Sequence, residues 1–150
     1  MKKNFLAVLF ALALCSPTFA QWKPAGDKIK TPWGEQLNPK NVLPEYPRPI
    51  MERQDWKNLN GSWIYAITKK GEPAPNNYQG EILVPFAVES SLSGVGNTIN
   101  EHQELWYQRT FDVPSAWKGK QILLHFGAVD WKADVWVNDV KVGQHTGGFT

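Results

Sequence analysis

The chain has 150 residues with 16 basic and 14 acidic side chains, a net charge of +2, which implies neither a nucleic-acid-binding surface nor a strongly acidic one. Its single cysteine, Cys15, lies in the N-terminal stretch, so the rest of the chain must fold on its core without disulfides. Beyond that stretch no apolar run is long enough to span a bilayer, and no membrane span is expected.

Residues 1–20 predict a secretory signal peptide. Lys2 and Lys3 form a basic start, Phe5 to Leu14 is apolar, and Ser16-Pro17-Thr18-Phe19-Ala20 supplies a breaker and small residues before a cut near Ala20. Leu14 is bulky where a lipid-attachment site before Cys15 takes a small residue, so cleavage is favoured over a lipid anchor. The mature protein is then exported, periplasmic or extracellular, and begins near Gln21. Its charges balance at fourteen of each sign once Lys2 and Lys3 are gone.

Residues 21–60 hold no sustained period of 2 or 3.6. Pro24, Pro32, Pro39, Pro44, Pro47 and Pro49 favour extended, non-helical backbone. Trp22, Trp33, Leu43, Tyr46, Ile50 and Trp56 are too apolar for a solvated linker. The stretch reads as an extended arm packed on the domain that follows.

From Gly61 the texture is that of short strands. Ser62 to Ile67 puts Trp63, Tyr65 and Ile67 on one face. Lys69 to Gly80 is a polar loop, Glu81 to Phe86 a short apolar strand closed at Pro85, and Gly94 to Gln103 a loop. Leu105 to Val113 alternates, with Leu105, Tyr107, Arg109 and Phe111 opposite Trp106, Gln108 and Thr110, and Pro114 ends it. A helical turn is expected only near Ser115-Ala116-Trp117. Gln121 to Gly127 and Ala133 to Val137 are two further strands. Asn138-Asp139 then forms a two-residue hairpin turn, because both residue types tolerate positive φ, and Val140 to His145 returns. Six short β segments and almost no helix predict an all-β fold, an antiparallel β-sandwich or jelly roll spanning 61–150.

Few catalytic constellations are present. No nucleophile elbow, phosphate loop or zinc-helix motif occurs, and Gly94-Val95-Gly96 is too short for a dinucleotide fingerprint. His102, His125 and His145 lack metal-ligand spacing, so no metal site and no cofactor are expected. Glycoside hydrolysis needs two carboxylates about 5–5.5 Å apart for retention. Glu81, Glu89, Glu101, Glu104, Asp112, Asp130 and Asp134 are candidates, but nothing in their spacing pairs two across a cleft. They read as solvated surface charges, and no catalytic residue is assigned. The eight tryptophans, Trp22, Trp33, Trp56, Trp63, Trp106, Trp117, Trp131 and Trp136, all lie beyond the leader. Each reads first as core or staple; an exposed one can stack on the apolar face of a sugar.

Several stretches in order resemble the N-terminal sugar-binding domain of glycoside hydrolase family 2, which includes β-galactosidases, β-glucuronidases and β-mannosidases. Trp56-Lys57-Asn58-Leu59-Asn60-Gly61-Ser62-Trp63 is similar to the family's "W-x-x-L-N-G-x-W" lead-in. Val84-Pro85-Phe86 with Glu89, Ser90 and Leu92 resembles the segment before the next strand. Leu105 to Phe111 is similar to "W-Y-x-R-x-F". Phe126 to Asp130, Val135-Trp136-Val137-Asn138, Val142-Gly143 and His145-Thr146-Gly147-Gly148-Phe149 follow the hairpin and its "H-x-G-G-aromatic" exit. The resemblance runs from about Tyr46 to Thr150. Gln108 stands where a basic residue is common, and Asp139 where glycine is.

The resemblance implies a jelly roll of the galactose-binding type that continues past Thr150, with Gly147-Gly148 turning the chain so that Phe149 starts another strand. It also implies a later barrel carrying two catalytic glutamates. On that expectation the chain is an incomplete, non-catalytic piece of an exported β-galactoside or β-glucuronide hydrolase, its partners carbohydrate and the absent barrel, and its substrate-binding residues unknown. A stand-alone carbohydrate-binding module using Trp131 as a platform, and a cell-surface β-domain without sugar affinity, are the alternatives. Exposure of the tryptophans discriminates among them.

Overall fold

The computed structural model describes residues 22–148; the expected signal peptide and Phe149 lie outside the described residues. The architecture is antiparallel β with almost no helix, in keeping with the all-β sandwich class. It contains a three-stranded sheet of order β2-β1-β3, built from β1 (Gly61–Lys69), β2 (Gly80–Val84) and β3 (Gln103–Gln108). A two-stranded sheet pairs β4 (Lys132–Val137) with β5 (Val140–Thr146). The chain divides into two compact units between Phe111 and Asp112.

In the first unit β1 is the central strand. Its partners run from Gly61↔Val84 to Tyr65↔Gly80 on one side and from Ile64↔Gln108 to Lys69↔Gln103 on the other. The Gln79 side chain extends the first ladder: its Oε1 accepts from the Ile67 N–H at 3.2 Å and its Nε2 donates to the Ile67 carbonyl at 3.0 Å. The buried apolar core is small, comprising Val42, Ala66, Ile82, Leu83 and Val88 among the described residues. Trp63, Tyr65 and Ile67 share a half-buried face, as strand alternation requires.

Residues 22–58 carry no strand. They contain one four-residue helix, α1 (Pro32–Glu35), which the sequence reading missed. Its signal is local: the Thr31 hydroxyl accepts from the Gly34 N–H at 3.2 Å, and Pro32 occupies the first turn, where its missing N–H costs nothing. A 3₁₀ turn spans Pro49–Met51. Further along, Ser91–Ser93 forms another, capped by the Ser90 hydroxyl and ended by Gly94 in the left-handed region.

The second unit contains the 3₁₀ turn Ser115–Trp117, where the sequence places one, and the β4–β5 hairpin. Asn138 and Asp139 both take positive φ, 49° and 65°, the signature of the two-residue turn that matches strand twist. A register shift between Val135 and Trp136 marks a bulge in β4.

Two expectations need correction. Leu105 to Val113 was expected to be one strand, yet β3 ends at Gln108, because beyond it the Arg109 side chain rather than the backbone reaches the residues before β1. Gln121 to Gly127 forms no strand among the described residues: its apolar sequence favours extended backbone, but no neighbour supplies a ladder. Ile122, Leu123, Leu124 and Phe126 are all exposed.

Candidate functional site

A densely bonded point of the first unit is the turn into β1. Gly61 has φ of 117°, a conformation that residues with a Cβ rarely adopt, and it swings the chain from Asn60 into the strand. The Leu59 carbonyl accepts from the Trp63 indole Nε1 at 2.8 Å and from Arg109 Nη1 at 2.7 Å. The same Nη1 donates to the Asn60 carbonyl at 2.9 Å. Asn58 receives the Asn60 N–H on its Oδ1 at 2.8 Å and donates through Nδ2 to the carbonyls of Val42 at 3.3 Å and Leu43 at 2.9 Å. Leu43 itself has φ of 42°, strained for a side chain of that bulk. Asn58 thus fixes the bent segment beneath the turn.

The motif "W-x-x-L-N-G-x-W" is therefore an anchor. Its two asparagines hold the arm, its glycine makes the turn, and its second tryptophan and the arginine of "W-Y-x-R-x-F" close over the exposed carbonyls. No signal in the sequence joins Arg109 to Leu59, because the two are fifty residues apart.

A second junction explains Gly94-Val95-Gly96. Ala25 donates its N–H to the Ser91 carbonyl at 2.8 Å, and the Ser91 hydroxyl returns a bond to the Ala25 carbonyl at 2.7 Å. Lys28 Nζ donates to the Glu89 carbonyl at 2.8 Å. A Cβ on Gly94 would sit 2.9 Å from Trp22 Nε1, and one on Gly96 2.9 Å from Ala25 Cβ. Both glycines also have positive φ. They are where the arm lies down.

Two open grooves lie on the first unit. The larger, about 440 Å³, is lined by Ser62, Trp63, Ile64, Glu81, Gln108, Arg109 and Thr110. Within it the Ser62 hydroxyl donates to Glu81 Oε2 at 2.8 Å. The smaller, about 250 Å³, lies along Lys28 to Thr31 and Glu89 to Leu92. Each holds a single carboxylate, Glu81 or Glu89, so neither places two of the sequence's candidates together.

The remaining candidate carboxylates are dispersed. Glu101 Oε1 lies 3.7 Å from His102 Nε2, both largely exposed to solvent on a turn. Glu104 faces Thr68 across the β1–β3 ladder. Asp134 Oδ1 lies 2.6 Å from Lys141 Nζ, which also sits 5.8 Å from the Trp136 ring centre. No cluster of three or more histidine, cysteine or carboxylate side chains suited to a metal occurs among the described residues. No described helix is long and apolar enough to cross a membrane.

The tryptophans divide. Trp63 and Trp106 are half-buried and hydrogen-bonded, Trp106 Nε1 to Thr68 Oγ1 at 3.0 Å. Trp56 packs against Tyr46 with ring centres 5.0 Å apart. Trp33 at 81%, Trp131 at 66% and Trp136 at 43% exposure present aromatic surface to solvent.

Comparison with known proteins follows the same lines. Residues 94–150 match the model of the glycosyl hydrolases family 2 sugar binding domain. A β-glucuronidase of Paenibacillus borealis is 29% identical over 110 residues, which cover 69% of this chain and 18% of that protein. A β-glucuronidase of Streptococcus agalactiae is 30% identical over 107 residues, covering 70% of the chain and 17% of its relative. A β-galactosidase of Thermoanaerobacter pseudethanolicus is 44% identical over 45 residues, 30% of the chain and 6% of that protein. The chain thus spans less than a fifth of the length of these curated relatives.

Proposed function

We propose, from the match of residues 94–150 to the sugar binding domain of glycosyl hydrolases family 2, that the chain forms the N-terminal, non-catalytic part of an exported enzyme that hydrolyses β-glucuronides. The observation that carries this is the run of similarity to bacterial β-glucuronidases across about two-thirds of the chain. A β-galactoside is the second substrate class, from a shorter match of higher identity to a β-galactosidase. In this reading the reaction is carried by residues outside the 150, through the retaining two-glutamate chemistry that the family resemblance implies. This part supports the catalytic body and contributes carbohydrate contacts.

The basic and apolar leader of residues 1–20 supports export. The test of the enzymatic reading is expression of the whole reading frame that contains the chain, followed by release of the aglycone from aryl β-glucuronides and β-galactosides. Turnover of the glucuronide above the galactoside is expected. The reverse order moves the substrate class, and inertness toward both withdraws the glycosidase reading. Mass analysis of the secreted protein tests the cut near Ala20; an intact leader overturns export by cleavage.

The exposed rings of Trp33 and Trp131 favour a second reading, in which the chain binds saccharide without a catalytic partner.

A further inference from the structure

The larger groove has a composition set by strand register. Glu81, Ile64 and Gln108 stand directly opposite one another on β2, β1 and β3. Residues opposed in this way share one face of the sheet, and successive strands lie about 4.8 Å apart. The row therefore runs carboxylate, aliphatic, amide across about 10 Å, the span of a pyranose ring with its substituents. Ile64 is 37% exposed and gives the row an apolar floor. Arg109, pinned by its two carbonyl bonds, and Thr110 close one end.

We propose that this groove is a binding subsite for one residue of a neutral pyranoside. The sugar's C–H face lies on Ile64. Adjacent hydroxyls donate to Glu81, whose Oε2 is already oriented by the Ser62 hydroxyl, while the Gln108 amide and Thr110 hydroxyl meet the hydroxyls on the far side. Neither of those two side chains bonds to another described residue. The groove, about 440 Å³, is ample for a monosaccharide unit. Glu81 and Arg109 both line the groove, one charge of each sign. Arg109 Nη1 is committed to the Leu59 and Asn60 carbonyls at one end, while Glu81 is the carboxylate that accepts from the sugar hydroxyls and repels a sugar acid there. The subsite therefore takes a neutral glycosyl unit rather than a uronate. The subsite rests on the carbohydrate-binding reading of this domain, yet its preference differs from that of a glucuronidase active site. It would hold a neutral part of the glycan.

Saturation-transfer NMR on the 150-residue chain tests it, with methyl β-galactopyranoside, methyl β-glucopyranoside and methyl β-glucuronide as separate probes at about 10 mM, suited to weak single-residue binding. Transfer to the ring protons of a neutral glycoside is expected. Glu81→Gln and Gln108→Ala, both exposed surface changes, should each weaken it about tenfold, the loss of one hydrogen bond involving a charged or well-oriented group. Circular dichroism of each variant confirms that the sheet is retained. Stronger transfer to the glucuronide overturns the neutral class. Transfer unchanged by both substitutions places sugar binding elsewhere, overturning the subsite while sparing the domain's carbohydrate reading. Absence of transfer from all three probes overturns both.

Discussion

Arg109 commits one nitrogen to two carbonyls, and Leu59 and Asn60 have no other described donor except the Trp63 indole. Arg109→Ala leaves part-buried acceptors unmet and should cost about 1–3 kcal/mol in a urea titration. Arg109→Lys should recover only part of that, since an ammonium lacks the guanidinium's fixed fork. Loss of less than half a kcal/mol would mean that water replaces the clamp. A second residue carries a pH signature. Burial, and then the charge of Glu89, hold the Tyr107 phenol above the ordinary value of 10.0. The folded state keeps this proton while the unfolded chain releases it, so stability is unaffected below the ordinary value and falls as pH rises above it. Burial raises Tyr78 as well, so tyrosinate absorbance should show late-titrating groups of which Tyr107→Phe removes one, and that variant should resist alkali better. Glu89→Gln should leave most of the shift, burial being the larger cause. The sequence placed Tyr107 and Arg109 on the same strand face, but no pattern along the chain announces the carbonyls that Arg109 meets.

At the scale of elements, what the sequence disclosed was whatever depends on neighbours in the chain. Alternation located β1, and the pair Asn138-Asp139 announced its turn because both residues accept left-handed backbone. Asp139→Val should therefore destabilise the hairpin by about 1–2 kcal/mol, as a β-branched residue fits that region poorly. Asp139→Gly should be neutral or mildly stabilising, and hydrogen exchange of the β4–β5 amides reads both. The segment 121–127 shows the opposite case. A strand is a relation between two segments, and Ile122, Leu123 and Leu124 have strand composition without a described partner. The glycines of Gly94-Val95-Gly96 had no visible purpose in the sequence, because the arm that presses on them comes from about seventy residues earlier. Gly94→Ala combines a positive φ with a contact on Trp22 and should cost about 1–3 kcal/mol, with a red shift in tryptophan emission as Trp22 is released. An unshifted spectrum would mean that the arm adapts.

At the scale of the molecule, apolar surface governs behaviour. From Ile122 to Val142 ten large hydrophobic side chains stand at 37% exposure or more, and open strand edges add unpaired backbone. The 150-residue chain on its own should associate with rising concentration, seen as a mass increase in sedimentation. A sharp, reversible melt of a monomer would contradict this. The all-β class was legible because so many short segments alternate, whereas the groove's row of Glu81, Ile64 and Gln108 was not, since only register brings three strands into line. The latch between Ala25 and Ser91 has a consequence for the order of events in time. It closes a loop of 66 residues, whereas β1 meets β2 across a short connection. Long closures are slow and follow local pairing. The ribosome makes the arm before residues 88–96, so the Trp22–Ala25 end of the arm must wait for them before it can dock. Substitutions at Trp22 or Ala25 should accordingly speed unfolding and leave the folding rate unchanged. This end of the arm is made before its dock and comes to rest after it.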